Sequence, residues 1–74
     1  MRLIATKLSI EQVRQALKQI DPAQREVVEL RFLVGLSIKE AAETVDKTVA
    51  AVKTLQHRGL KALRDALRAS EAQL

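Results

Sequence analysis

Three breaks divide this chain: Asp21-Pro22, Gly35 and Asp46-Lys47-Thr48. Between them, apolar residues recur three and four positions apart, the period of a helix that buries one stripe. Proline biases the residue before it away from helix yet suits a first helical turn. Asp21 is therefore the expected N-cap of a helix running from Pro22 to about Leu33. Gly35 supplies a positive-φ stop. Asp46 tolerates a left-handed backbone better than most residues, and Thr48 is a good cap for whatever follows. Ser9-Ile10-Glu11-Gln12 and Ser37-Ile38-Lys39-Glu40 both have the form of a capping box, with Leu8 and Val13 placed as a hydrophobic staple around the first.

The expectation is an all-α fold of four helices. The first is about ten residues with Ile10, Val13, Leu17 and Ile20 inward. The second buries Val27, Leu30 and Val34, widened by Val28 and Phe32. A short third helix from Ser37 turns Ile38, Ala41, Ala42 and Val45 to the core. The fourth, from Val49 to about Ala69, points Val49, Val52, Gln56, Leu60, Leu63 and Leu67 inward. Gln56 interrupts that row, so it either reaches a backbone carbonyl or marks an edge of the core. Gly59 is read as admitting a close-packed neighbour, and Leu55 as either an exposed patch or the core's margin. Residues 1–7 carry no clear period and are a loose lead-in to one domain over 8–74.

Composition narrows the classes. Hydrophobic residues make up 47% of the chain, but Phe32 is the single aromatic, so Leu, Val, Ile and Ala must build the core. Such a core suits packed helices. There is no cysteine for a disulfide or thiolate site. No apolar run approaches the roughly 20 residues of a membrane span, and the opening residues are too short for a signal peptide. The expectation is a soluble, cytoplasmic protein with no membrane contact. No Gly-rich phosphate loop, Ser-His-Asp set or nucleophilic cysteine is present, so an enzyme is not expected, nor is any cofactor or metal. The pairs Glu26/Glu29 and Glu40/Glu43 are explained better by capping and the helix dipole than by acid–base chemistry.

The net charge of +4 is unevenly spread. Residues 1–52 are nearly balanced, with eight Lys/Arg against seven Asp/Glu. Residues 53–68 carry Lys53, Arg58, Lys61, Arg64 and Arg68 against Asp65 alone. A concentrated excess of this kind is the footprint of a polyanion partner, although a charge run by itself also suits a solvated helical face. What sharpens it is geometry. A short capped helix, a three-residue turn and a longer basic helix over about 37–69 form a helix-turn-helix, in which the first helix braces the second so that its leading turns enter the major groove. Lys53, Thr54, His57, Arg58 and Lys61 lie opposite or beside the apolar row, and are donors that read base edges and phosphates. His57 has no second His or Cys to complete a metal site.

The stretch Asp21-Pro-Ala-Gln-Arg-Glu-Val-Val-Glu-Leu-Arg-Phe32, followed by "GLSIKEAAETVDKTVAAVKTLQHRGLKALRDAL" to Leu67, resembles region 4 of a bacterial sigma factor, extracytoplasmic-function type. The likeness covers about residues 8–68. It implies sequence-specific binding of duplex promoter DNA at the −35 element in transcription initiation. Positions matching Lys53, Thr54, His57 and Arg58 would then face bases and backbone. Arg31 and the helix start at Ser37-Ile38-Lys39 would contact phosphates, and Thr48 and Lys61 are further candidate DNA-binding residues. The resemblance also implies that the apolar surface of the first two helices grips the flap of the RNA polymerase β subunit, and that an anti-sigma factor covers such surfaces. Departures are Asp46 where many relatives have Gly, Ala51 for Thr, and Leu55-Gln56 for Arg-Leu. The last removes a DNA contact, so no promoter sequence carries over. Two other readings stand beside this one. A response-regulator output domain carries "GLSxKEIA" and "TVK", to which Gly35–Ala42 and Val52-Lys53 here are similar, and a protein-interaction module would dock polymerase or an anti-sigma factor without touching DNA.

Overall fold

The computed structural model of the protein describes residues 10–72, with side chains described over 10–69. Four helical elements, and no strands, occur among the described residues: α1 (Ile10–Lys18), α2 (Pro22–Val28, continuing as a π-helical turn over Glu29–Val34), α3 (Ile38–Val45) and α4 (Val49–Ala72). The lead-in and the Ser9 half of the first capping box lie outside the described residues.

The boundaries follow from the punctuation. The Asp21 carboxylate accepts from the Ala23 amide at 3.1 Å, with Pro22 in the first turn. Gly35 ends the second helix at φ 91°, ψ 23°. Ser37 and Glu40 close the second capping box in both directions.

Two apolar clusters hold the helices together. In the first, Val27, Ala41, Ala42 and Val52 are buried, with Leu30, Ile38, Val45 and Leu55 packed against them. This is the helix-turn-helix core. The two alanines of α3 leave only a methyl each between its backbone and its neighbours, so α3 sits close against α2 and α4. In the second cluster, Leu17, Ile20 and Val28 are buried against Val13, Ala62 and Leu63, fixing α1 to the later turns of α4. Adjacent residues Val27 and Val28 thus serve different clusters, so that α2, like α4, is shared by both. Each fully buried valine contributes roughly 1.5–3 kcal/mol relative to exposure.

Three expectations about inward residues are corrected. Ile10 is 75% exposed, because α1 buries its Ala16-Leu17 side and Ile10 lies a turn beyond the packed part. Phe32 and Val34 are exposed, at 52% and 64%. After Val28 the ladder widens from four-residue to five-residue spacing, as in the Gly35 amide bonding to the Leu30 carbonyl at 3.1 Å. The wider spacing sets the residues along this turn progressively back from their α-helical positions, by up to about 100° around the axis, off the α-helical stripe. On α4, Val49 and Leu60 are partly exposed, at 38% each. The position that meets α2 is Gly59, one residue before Leu60. A Cβ there would stand 2.8 Å from Val28 Cγ2 and 3.1 Å from the Gln24 carbonyl oxygen. The reading of Gly59 as a close-packing site holds. Leu55 belongs to the core's margin.

Candidate nucleic-acid interface

The entry to α3 is fixed locally. The Ser37 amide donates to Glu40 Oε1 at 2.8 Å, and the Glu40 amide donates to Ser37 Oγ at 3.1 Å. Donation to the carboxylate from the Ser37 amide, and after it from the Ser37 hydroxyl, holds the Glu40 carboxyl below its ordinary pKa. Burial plays almost no part, since Glu40 is exposed. The box leaves the amides of Ile38 and Lys39 as the unpaired leading donors expected at a helix start, and the Lys39 side chain is exposed beside them.

The turn from α3 to α4 is Asp46-Lys47-Thr48. Asp46 adopts a left-handed conformation at φ 57°, ψ 48°. Its amide bonds back to Glu43 and Ala42, and the Lys47 amide reaches the Ala42 carbonyl at 3.0 Å. This is a Schellman closure made by aspartate instead of glycine. Thr48 Oγ1 then accepts from the Ala51 amide at 3.0 Å, which caps α4 as expected. The side chain placed among the candidate contacts is thereby engaged in starting the helix.

On α4, Lys53, Thr54, His57, Arg58 and Lys61 are all exposed. They occupy the side away from Val52, Gln56, Gly59 and Leu63, so the structure brings these five onto one solvent face. The Thr54 hydroxyl donates to the Ala50 carbonyl at 3.2 Å, leaving its oxygen and methyl outward. Lys61 Nζ lies 3.1 Å from Asp65 Oδ2, with both side chains largely exposed. Pairs of this kind are worth about 0–1 kcal/mol and yield easily to a phosphate.

Arg31 stands apart from this face. It is half-buried, and its guanidinium donates from Nε to Gln56 Oε1 at 2.9 Å and from Nη1 to the Leu36 carbonyl at 2.7 Å. Its Cζ also lies 5.5 Å from the centroid of the Phe32 ring. Gln56 neither caps a backbone carbonyl nor simply borders the core, since its side-chain oxygen is the acceptor for an arginine 25 residues upstream. The only signal for this pair in the sequence was a polar residue on an apolar row, which does not name its partner.

Beyond these polar groups, Phe32, Leu33 and Val34 form an exposed apolar tip on the π-helical turn, with Leu33 at 69%. Sequence reasoning missed Leu33 as a surface residue because α-helical periodicity gave it no role. No helix among the described residues is long and apolar enough to cross a membrane.

Comparison with known proteins bears on the whole unit. The family model described as "Sigma-70, region 4" matches residues 10–63. The ECF RNA polymerase sigma factor SigX of Bacillus subtilis is 45% identical over 56 residues, covering 76% of this chain and 29% of that protein. The ECF RNA polymerase sigma factor BldN of Streptomyces coelicolor is 40% identical over 60 residues, covering 81% of this chain and 23% of its own length. The ECF RNA polymerase sigma factor SigD of Mycobacterium bovis is 40% identical over 57 residues, 77% of this chain and 27% of that protein. The chain spans about a quarter of the length of these curated relatives.

Proposed function

Because the chain belongs to the sigma-70 region 4 family, extracytoplasmic-function type, we propose that it binds the −35 element of duplex promoter DNA and acts with RNA polymerase in transcription initiation in the cytoplasm. The domain doing so is the unit assigned to residues 8–74. The observation that carries this reading is the exposed row Lys53, Thr54, His57 and Arg58 on the leading turns of α4, which the capped α3 braces through Ala41 and Ala42. Short alanines at 50 and 51 let the helix backbone approach the groove floor, while the longer donors reach base edges and phosphates. Ser37, Lys39 and Thr48 flank the row at two helix starts, where leading amides and the positive end of the dipole suit phosphate oxygens. Lys61 extends the row along α4.

The exposed tip Phe32-Leu33-Val34 supports a second contact, with the β flap of RNA polymerase or with an anti-sigma factor that competes for it. Val28 does not suit such a role, because it is buried against Gly59. A gel shift on a −35-type duplex, with and without the β flap, tests both contacts. Lys53→Ala and Arg58→Ala are each expected to weaken DNA binding by on the order of 1–3 kcal/mol and to leave flap binding unchanged. Leu33→Asp is expected to do the reverse. Full DNA affinity in both α4 variants, with helicity intact by circular dichroism, would reject the DNA reading and leave the interaction module.

A further inference from the structure

The Arg31–Gln56 pair joins three pieces of the fold that no local rule connects. Arg31 lies in the π-helical turn that ends the second helix, Leu36 immediately precedes the Ser37 cap of α3, and Gln56 lies in α4 beside His57. A guanidinium is a planar fork whose donors hold fixed relative directions, so fixing two of them fixes the plane. Here Nε is fixed by an acceptor on α4, Nη1 by the carbonyl at the entry to α3, and the Phe32 ring lies beside Cζ. All three neighbours are neutral. No carboxylate pairs with the guanidinium among the described residues, and two of its donors are held within the fold.

We infer that Arg31 and Gln56 form a strut that sets the angle between α3 and α4, and so positions the DNA-reading row without either side chain contacting DNA. Arg31 lies within the five-residue ladder that follows Val28, on the side of the second helix that meets α4. Hydrogen bonds to a charged donor are stronger than neutral ones, and a lost strut lets the capped helix and the recognition helix rotate about the Asp46 turn. This inference rests on the DNA-binding reading for its functional consequence, but the strut itself is a property of the free chain.

The test uses the full chain and a duplex that the wild-type chain selects from a randomised library. Gln56→Leu and Arg31→Gln are each expected to weaken binding by on the order of tenfold, with the double variant no worse than either single one. The slope of log affinity against log salt stays at the wild-type value in all three, because no phosphate contact is lost. A direct phosphate contact by Arg31 would instead lower the slope by about 0.9 in Arg31→Gln and leave Gln56→Leu unaffected, which would overturn the strut. Unchanged affinity in Gln56→Leu overturns it equally.

Two measurements on the free chain keep the outcome separate from the DNA reading. The Arg31 Nε–H is expected to be protected from solvent exchange in the wild type, exposed in Gln56→Leu and protected again in Gln56→Glu. Residual dipolar couplings are expected to show a changed α3–α4 angle in Gln56→Leu. An unprotected Nε–H in the wild type, or an unchanged angle in a folded variant, refutes the strut. Failure of the wild type to select any duplex refutes the DNA reading, and the couplings then decide the strut alone.

Discussion

Gly35 and Gly59 are the chain's two glycines, and they are required for opposite reasons. Gly35 sits at φ 91° with nothing within 4 Å of where a Cβ would stand. Space is ample there and the backbone is the constraint. Gly59 lies inside α4, where any residue could adopt the backbone, but a Cβ would stand 2.8 Å from Val28 Cγ2. Its backbone is ordinary and the space is missing. One glycine lets the chain turn, and the other lets two helices touch. Asp46 offers a third case, a left-handed residue that keeps its side chain.

Substitution separates the two roles, and the largest effect belongs to Gly59. Gly59→Ala should destabilise the fold by roughly 1–3 kcal/mol, the usual cost of forcing a methyl into a packed contact. Urea unfolding of Gly59→Ala with and without Val28→Ala should show coupling, because trimming Val28 removes the nearest clash. The Gln24 carbonyl at 3.1 Å limits that rescue. Additive effects of the two changes would show that α2 and α4 do not meet at this point.

Gly35→Ala comes next, at about 1–2 kcal/mol, the cost of a Cβ in the left-handed region. No trimming of neighbours should relieve it, and Gly35→Asn should recover part of the loss in the same unfolding assay. A rescue by a smaller neighbour would mean that space, not backbone, is limiting at this turn.

Asp46→Gly should move stability the other way, by about 0.5 kcal/mol, since glycine adopts this conformation without a Cβ penalty yet loses more freedom on folding. A thermal melt that falls instead would show that the Asp46 side chain makes a contact worth more than the backbone relief.

The smallest effect concerns the box that starts α3. The Glu40 carboxyl titrates below its ordinary range in the folded chain, held there by the Ser37 amide and hydroxyl. A depressed folded-state pKa stabilises the fold at pH values above the unfolded value of about 4.3, and the contribution is lost as pH falls through the lower folded value. Unfolding curves of wild type and Glu40→Gln should therefore differ at neutral pH and converge as pH falls through the folded-state value. A constant difference across that range would separate the carboxylate from the stability of the cap.

The same contrast between backbone rules and spatial fit divides what was legible in the sequence. The breaks at Asp21-Pro22, Gly35 and Asp46-Thr48, the Ser37 box and the inward set on α3 rest on interactions within four or five residues. Near-neighbour chemistry of that kind is written in the chain itself. The exposed row from Lys53 to Lys61 was legible for a related reason, because helical period alone puts those residues on one side. The five-residue ladder over Glu29–Val34 was not, and with it went the expected burial of Phe32 and Val34. No residue in that segment encodes a widened turn by type.

Local hydrogen bonding and a fixed period were enough to specify the four helical segments, the caps of the last three and the side of α4 that carries the donors. Tertiary structure alone decided that Gly59, not Leu60, meets α2, that Gln56 pairs with Arg31, and that Phe32, Leu33 and Val34 face outward. Those outcomes depend on how helices distant in sequence cross. A crossing is set by volumes and donor directions that become neighbours only after the chain has folded.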